Sequence, residues 1–149
     1  MPTSATGSND EGFTLIEMMV VMVIIALASA AVMFAIPDPR GRVIDEAERF
    51  AARTLAARDD AIVQSRDTRV VITAMGYSVE RRRRGAWTAM TDKPFRAATW
   101  TEGTGVSDPQ QIMFDATGTP ASPATVTLVR DDTRATVTVS GNGDIRVGS

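Results

Sequence analysis

Residues 13–36 form one apolar stretch in which only Thr14, Glu17 and Ser29 carry polar side chains. A helix that is apolar on every face has no side to offer to water. At 1.5 Å per residue the stretch reaches about 36 Å, enough to cross a hydrocarbon core with some tilt. It is therefore a membrane span or a cleaved signal. A secretory signal needs a basic region ahead of the apolar core and a small-residue cleavage site behind it. Ala28-Ser29-Ala30 would serve as the second, but residues 1–12 hold Asp10 and Glu11 and no Lys or Arg. Glu17 argues against a plain anchor too, because a carboxylate in a spanning helix costs about 3 kcal/mol at the centre, less near an end, and is kept for a partner.

The residue types that are missing exclude most enzyme classes. With no His and no Cys there is no Ser-His-Asp or Cys-His nucleophile system, no His- or Cys-ligated zinc, and no haem or cluster ligation. Glu46 with Glu48, and Asp59 with Asp60, are too close in sequence to face each other on a helix, so acid–base catalysis is not expected. Calcium takes about six to eight oxygens, and Asp131, Asp132, Asn142 and Asp144 fit turn chemistry better. No cofactor and no metal are expected. The net charge is −2 overall and near zero after residue 36, which provides no global field for nucleic acid. The one charge run is Arg81, Arg82, Arg83 and Arg84. Such a run could meet phosphate, lipid head groups or DNA. Only Trp87 stands close by, and one aromatic makes no stacking platform. A solvated turn, or a contact to a neighbouring subunit, is the expected role.

Beyond the span, Pro37-Asp38-Pro39-Arg40-Gly41 predicts a kink or break. From Val43 a stripe at steps of three and four resumes with Val43, Ala47, Phe50, Thr54, Ala57 and Ala61, flanked by Ile44, Ala51, Leu55 and Ile62. Asp45, Glu46, Glu48, Arg49, Arg53, Asp59 and Asp60 fall off this stripe and read as a solvated face, with Asp45 and Arg49 spaced for an i, i+4 pair. After Gln64 the period becomes two. Strands are expected over 69–75, 77–82 and 86–90 as a meander, then over 111–115, 125–130, 135–140 and 144–147. Val126 and Leu128 are set against Val137 and Val139 in a hairpin. Residues 93–109 read as a loop or short edge strand. Helix first and strands after predicts an α+β fold, a long N-terminal hydrophobic helix continuing into an amphipathic helix packed on antiparallel β-sheet(s).

Gly12-Phe13-Thr14-Leu15-Ile16-Glu17 followed by an uninterrupted apolar helix resembles the type III signal of type IV pilins and type II secretion pseudopilins. The resemblance implies cleavage after Gly12 by a prepilin peptidase, N-methylation of Phe13 by the same enzyme, and a role for Glu17 in subunit assembly. Glu17 would then lie about 6 Å up the helix axis from its own amine, so that its carboxylate can neutralise the amine of a neighbour offset along the axis. Leaders of this family usually carry Lys or Arg before the Gly, where this chain has Asp10 and Glu11. The positive-inside rule alone would place Arg40, Arg42 and Arg49 in the cytoplasm. The family orientation is the opposite.

The segment Ala57-Arg58-Asp59-Asp60-Ala61-Ile62 running towards a strand at Val70 resembles one branch of that family, minor pseudopilin H together with the FimT-type minor pilins. So do Ile112-Met113-Phe114-Asp115-Ala116-Thr117-Gly118 and the closing Gly141-Asn142-Gly143. This branch implies a cleaved leader over 1–12, a transmembrane and filament-core helix over 13–36, and a periplasmic globular domain over 37–149. It implies a single-pass protein of the bacterial inner membrane that assembles into the periplasmic pseudopilus driving protein export. The implied partners are prepilin peptidase, the other minor pseudopilins, the major pseudopilin, and membrane lipid before assembly. Nucleic acid is not the expected partner. The alternative within the resemblance is a FimT-type minor pilin of type IV pili that captures DNA through Arg81, Arg82, Arg83 and Arg84.

Overall fold

A computed structural model describes residues 14–35 and 39–148, and the chain divides into two units, Met1–Pro37 and Asp38–Ser149. Among the described residues the first unit contains a single helix, α1, Leu15–Ala35. The second opens with α2, Pro39–Gln64, four residues earlier than the apolar stripe requires. Proline is tolerated at a first helical position because the N–H it lacks would be unpaired there in any case. Pro37 and Asp38 of the expected break lie outside the described residues.

The sheet topology follows from the two-residue period. Strands β1 (Thr68–Thr73), β2 (Gly76–Arg83), β3 (Ala86–Ala89), β4 (Ala98–Thr99) and β6 (Gln110–Phe114) form one antiparallel sheet in the order β3-β2-β1-β6, with β4 also on β2. Strands β5 (Thr104–Val106), β7 (Ala124–Arg130), β8 (Thr133–Val139) and β9 (Ile145–Gly148) form a second, in the order β5-β7-β8-β9. In the β7–β8 hairpin Val126 faces Val137 as expected, whereas Leu128 faces Ala135 and Val139 faces Ala124. The segment 93–109 is less open than its Gly and Pro content suggests, since it contains both β4 and β5.

Helix α2 packs on both sheets. Its stripe Val43, Ala47, Phe50, Thr54, Ala57 and Ala61 is fully buried, as the spacing predicts. Phe50 is central, with Tyr77 at a ring-centroid distance of 5.0 Å and Trp100 at 5.6 Å, both edge-on. Edge-to-face pairs of this kind are favourable beyond their buried area. Trp100 also holds the β1–β2 turn, its Nε1–H donating to the Thr73 carbonyl at 3.0 Å and its backbone N–H to that of Met75 at 3.1 Å. Gly76 lets β4 come this close, because a Cβ there would lie 2.1 Å from the Ala98 carbonyl oxygen. Burial pushes the Tyr77 phenol up, opposed by the Arg53 guanidinium beside it.

Two of the acids expected on a solvated face are instead covered by partners, Glu46 fully and Asp60 for the most part. The Glu46 residue is only 6% exposed and accepts a hydrogen bond from the Thr101 hydroxyl. Arg49 approaches Glu46 at 3.9 Å, an i, i+3 contact in place of the expected i, i+4 pair with Asp45. Asp60 receives Arg81 of β2 in a two-pronged pair, Nε to Oδ2 at 2.8 Å and Nη2 to Oδ1, with side chains only 10% and 13% exposed. Helical spacing places both acids beside the stripe, and residues distant in sequence then cover them. In the turn after β6, Asp115 Oδ1 accepts from the Thr117 amide at 2.8 Å, the Thr117 hydroxyl at 2.6 Å and the Thr119 amide at 3.0 Å. These bonds, the Thr117 hydroxyl foremost, hold the Asp115 carboxyl below its ordinary range.

Three outcomes follow from this packing. Phe50→Ala should lower unfolding free energy by about 3–5 kcal/mol in denaturant titration, as for other large-to-small core changes. Asp60→Ala should cost about 2–4 kcal/mol by stranding the Arg81 charge, while Asp60→Leu combined with Arg81→Met should recover most of it. A depressed carboxyl stabilises the fold fully above its unfolded pKa and loses that contribution as pH falls through the folded value. Acid unfolding of Asp115→Asn, which keeps an acceptor oxygen but does not titrate, should therefore show a shallower loss of stability below the ordinary carboxylate range.

Candidate functional site

The start of α1 is built by Thr14. Its carbonyl accepts the Met18 N–H at 3.2 Å and its hydroxyl accepts the Glu17 N–H at 3.3 Å. Thr14 is thus the helix cap, and Thr14-Leu15-Ile16-Glu17 has the spacing of a capping box. That signal is present in the sequence and is missed when Glu17 is considered alone. Glu17 stands in the first turn, where unpaired backbone N–H groups and the positive end of the helix dipole favour an anion. Gly12 and Phe13 lie outside the described residues.

From Thr14 to Val32 every residue of this segment is exposed. Mean hydropathy over Leu15–Val32 is 2.6. Ser29 breaks the apolar surface least, since its hydroxyl donates to the Ile25 carbonyl one turn back at 2.7 Å. A helix of 21 residues spans about 32 Å, close to the thickness of a hydrocarbon core. With its backbone bonded internally, such a helix needs lipid or other helices around it.

The four consecutive arginines do not act as one patch. Arg81 is committed to Asp60. Arg82, on the opposite side of the strand, reaches Asp67 at 3.2 Å. Arg83 and Arg84 are exposed. Trp87 lies opposite Arg82, and its ring is covered by the Arg69 guanidinium, 4.5 Å from the centroid. Arg69 is held there by Glu80 at 2.6 Å and Gln111 at 3.2 Å. Arg84 (φ 51°) and Gly85 (φ 85°) make the two-residue turn between β2 and β3. Turns with two positive φ values suit the twist of a hairpin. Around the turn an open depression of about 760 Å³ is lined by Arg66, Asp67, Arg82, Arg83 and Arg84 among others.

Comparison with known proteins places both parts of the chain. The family described as type II transport protein GspH matches residues 46–143, and the prokaryotic N-terminal methylation motif matches residues 7–33. The domain is similar in fold to the minor pseudopilin EpsH from the type 2 secretion system of Vibrio cholerae, with a TM-score of 0.64, 21% identity, and coverage of 72% of this chain and 97% of that one. It is similar to the type IV minor pilin FimU of Pseudomonas aeruginosa, with a TM-score of 0.57, 22% identity, and coverage of 74% and 90%. It is also similar to GspH of Escherichia coli, with a TM-score of 0.59, 16% identity, and coverage of 73% and 89%. A search of curated proteins returned no match. The methylation motif on an apolar helix implies processing by prepilin peptidase and fits a pilin-like protein of the inner membrane before assembly. The chain belongs to the GspH family of type II transport proteins and is a minor pseudopilin of type II secretion, a structural protein and not an enzyme.

Proposed function

We propose that the chain works as a filament subunit whose N-terminus is made by cleavage between Gly12 and Phe13. Residues 1–12 are the leader, residues 13–36 hold the protein in the inner membrane as a single span, and residues 37–149 stand in the periplasm. On extraction from the membrane the apolar helix exchanges lipid for the helices of neighbouring subunits, the other minor pseudopilins and the major pseudopilin. The observation that carries this reading is a capped apolar helix, exposed from Thr14 to Val32, with its one carboxylate, Glu17, in the first turn. That carboxylate loses its water in either setting, and the N-methylated amine of Phe13 on a neighbour is the charge that compensates it. The pair sets the axial offset between subunits because only one offset brings the two charges together.

The test is intact mass and N-terminal sequencing of the chain recovered from membranes. A chain that begins at N-methylated Phe13 is the expected result, and one that begins at Met1 or at Ala31 would overturn the processing. Glu17→Ala should leave cleavage largely intact and cut incorporation into filaments about tenfold or more, because it leaves the neighbour's Phe13 amine without a compensating charge. Normal incorporation of that variant would remove the charge pair from the mechanism.

A further inference from the structure

The edge of a sheet presents unpaired backbone groups, which chains guard with charge, proline or a covering segment. At one end of the first sheet the edge of β6 is covered, with Pro120 bridged to Phe114 and the Ala121 N–H donating to the Met113 carbonyl at 2.8 Å. At the other end β3, Ala86-Trp87-Thr88-Ala89, carries neither charge nor proline. Its ladder with β2 starts with Arg83 opposite Ala86 and runs one residue past the strand, where the Met90 N–H donates to the Val79 carbonyl at 2.9 Å. Bonded and unbonded pairs alternate along an antiparallel ladder. Ala86, Thr88 and Met90 therefore turn their N–H groups to β2, while Trp87 and Ala89 turn N–H and C=O away from it. Arg82, opposite Trp87, keeps the same phase, its N–H donating to the Asp67 carbonyl at 2.9 Å on the side of β1. Among the described residues no backbone hydrogen bond reaches Trp87 or Ala89 from the open side.

The surroundings of this edge are cationic. Arg83, Arg84 and Lys93 are exposed and make no ion pair among the described residues. On the face of β3 that carries Thr88 and Met90, a depression of about 240 Å³ is lined by Arg83, Lys93, Met90 and Phe95 among others, and Asp92 is the one acid along it. We infer that β3 is a docking edge for an extended acidic segment of a different subunit of the filament, which adds to the sheet as one more strand. The source of the segment rests on the filament reading; the edge and its charge do not. Successive side chains of an added strand alternate between faces. Those beside Thr88 enter the depression, where Arg83 and Lys93 favour carboxylates and Met90 and Phe95 take the apolar stems. The outward groups of Trp87 and Ala89 supply the main-chain bonds, and the alternate side chains supply the choice of partner. A second copy of the chain does not fit. Pairing β3 with β3 sets these cations against one another, and β9 at the edge of the other sheet brings Arg146, so like charges meet. A nucleic acid fits no better, because the ring of Trp87 has a face filled by Arg69 and is closed to a stacking base.

The mode of docking is tested on the full chain in detergent micelles with a fluorescent peptide of alternating Val and Glu. It should bind about tenfold or more tighter than a peptide of alternating Val and Lys at low salt, and the advantage should shrink as salt screens the charges. Binding should slow amide exchange at Trp87 and Ala89 about tenfold, and N-methylation of alternate peptide amides should abolish it. Ala89→Pro removes an outward N–H that makes no bond in the sheet, so it should abolish binding with little change in melting temperature. Arg83→Glu should reverse the preference towards the Lys peptide. No preference for Glu, indifference to N-methylation, or unchanged exchange at Trp87 and Ala89 would overturn the proposal. Single-stranded DNA that displaces the peptide, with N-methylation without effect, would overturn it in favour of nucleic acid. The source is tested in cells that assemble the filament, by a photo-crosslinking amino acid placed at Thr88. The expected adduct is with another pseudopilin, identified by its mass, and is lost on Ala89→Pro; an adduct only with a second copy of the chain, or only with an exported protein, would overturn the proposal. N-terminal processing is read on the same cells. A chain that begins at Phe13 and gives no adduct removes the docking edge alone, whereas a chain that begins at Met1 removes the filament reading and with it the source, and leaves the peptide titration to decide the edge.

Discussion

The domain depends on the burial of one helical stripe. Val43, Ala47, Phe50, Thr54, Ala57 and Ala61 are sealed from water, and because α2 packs on both sheets the stripe is the surface they share. Removing apolar area from water is the main favourable term available to a chain with no disulfide. Phe50 concentrates it by meeting Tyr77 and Trp100 together. Those contacts explain why a segment as rich in Gly and Pro as 93–109 is held in place. Trp100 is pinned by the β1–β2 turn and Thr101 by Glu46.

The polar residues around this stripe are ordered by what the stripe leaves room for. A charge beside a buried row must be covered with a partner or stay outside. Asp60 has Arg81 and Glu46 has Thr101, whereas Asp45, Glu48 and Asp59 remain exposed. The arginine run is divided by the same requirement, its first member drawn inward and its last two left at the hairpin tip. The resulting domain leaves Arg83 and Arg84 exposed at the hairpin tip and Asp45, Glu48 and Asp59 exposed on α2.

The N-terminal segment follows a different rule. From Thr14 to Val32 no residue of this segment is buried, so the stability of α1 comes from internal hydrogen bonds and from whatever apolar surroundings it occupies. Thr14 and Glu17 finish its first turn, where backbone N–H groups lack partners. The same few residues therefore begin the helix and carry its only charge within the described part of the segment.

Local pattern was enough to establish much of this protein. The apolar run with Glu17 near its start, the stripe from Val43 to Ala61, and the change to a period of two after Gln64 are all set by the spacing of neighbouring side chains. Spacing alone decides which face an element can bury. It also made the family legible, through the Gly12-to-Glu17 signal and the strand-turn segments of the domain. Tertiary structure decided which off-stripe charges are covered by partners, how the strands divide between two sheets, and where Leu128 and Val139 find partners. It decided these because the partners are far apart in sequence, as Glu46 is from Thr101 and Asp60 from Arg81. A period assigns a residue to a face, but only the folded chain determines what comes to cover that face.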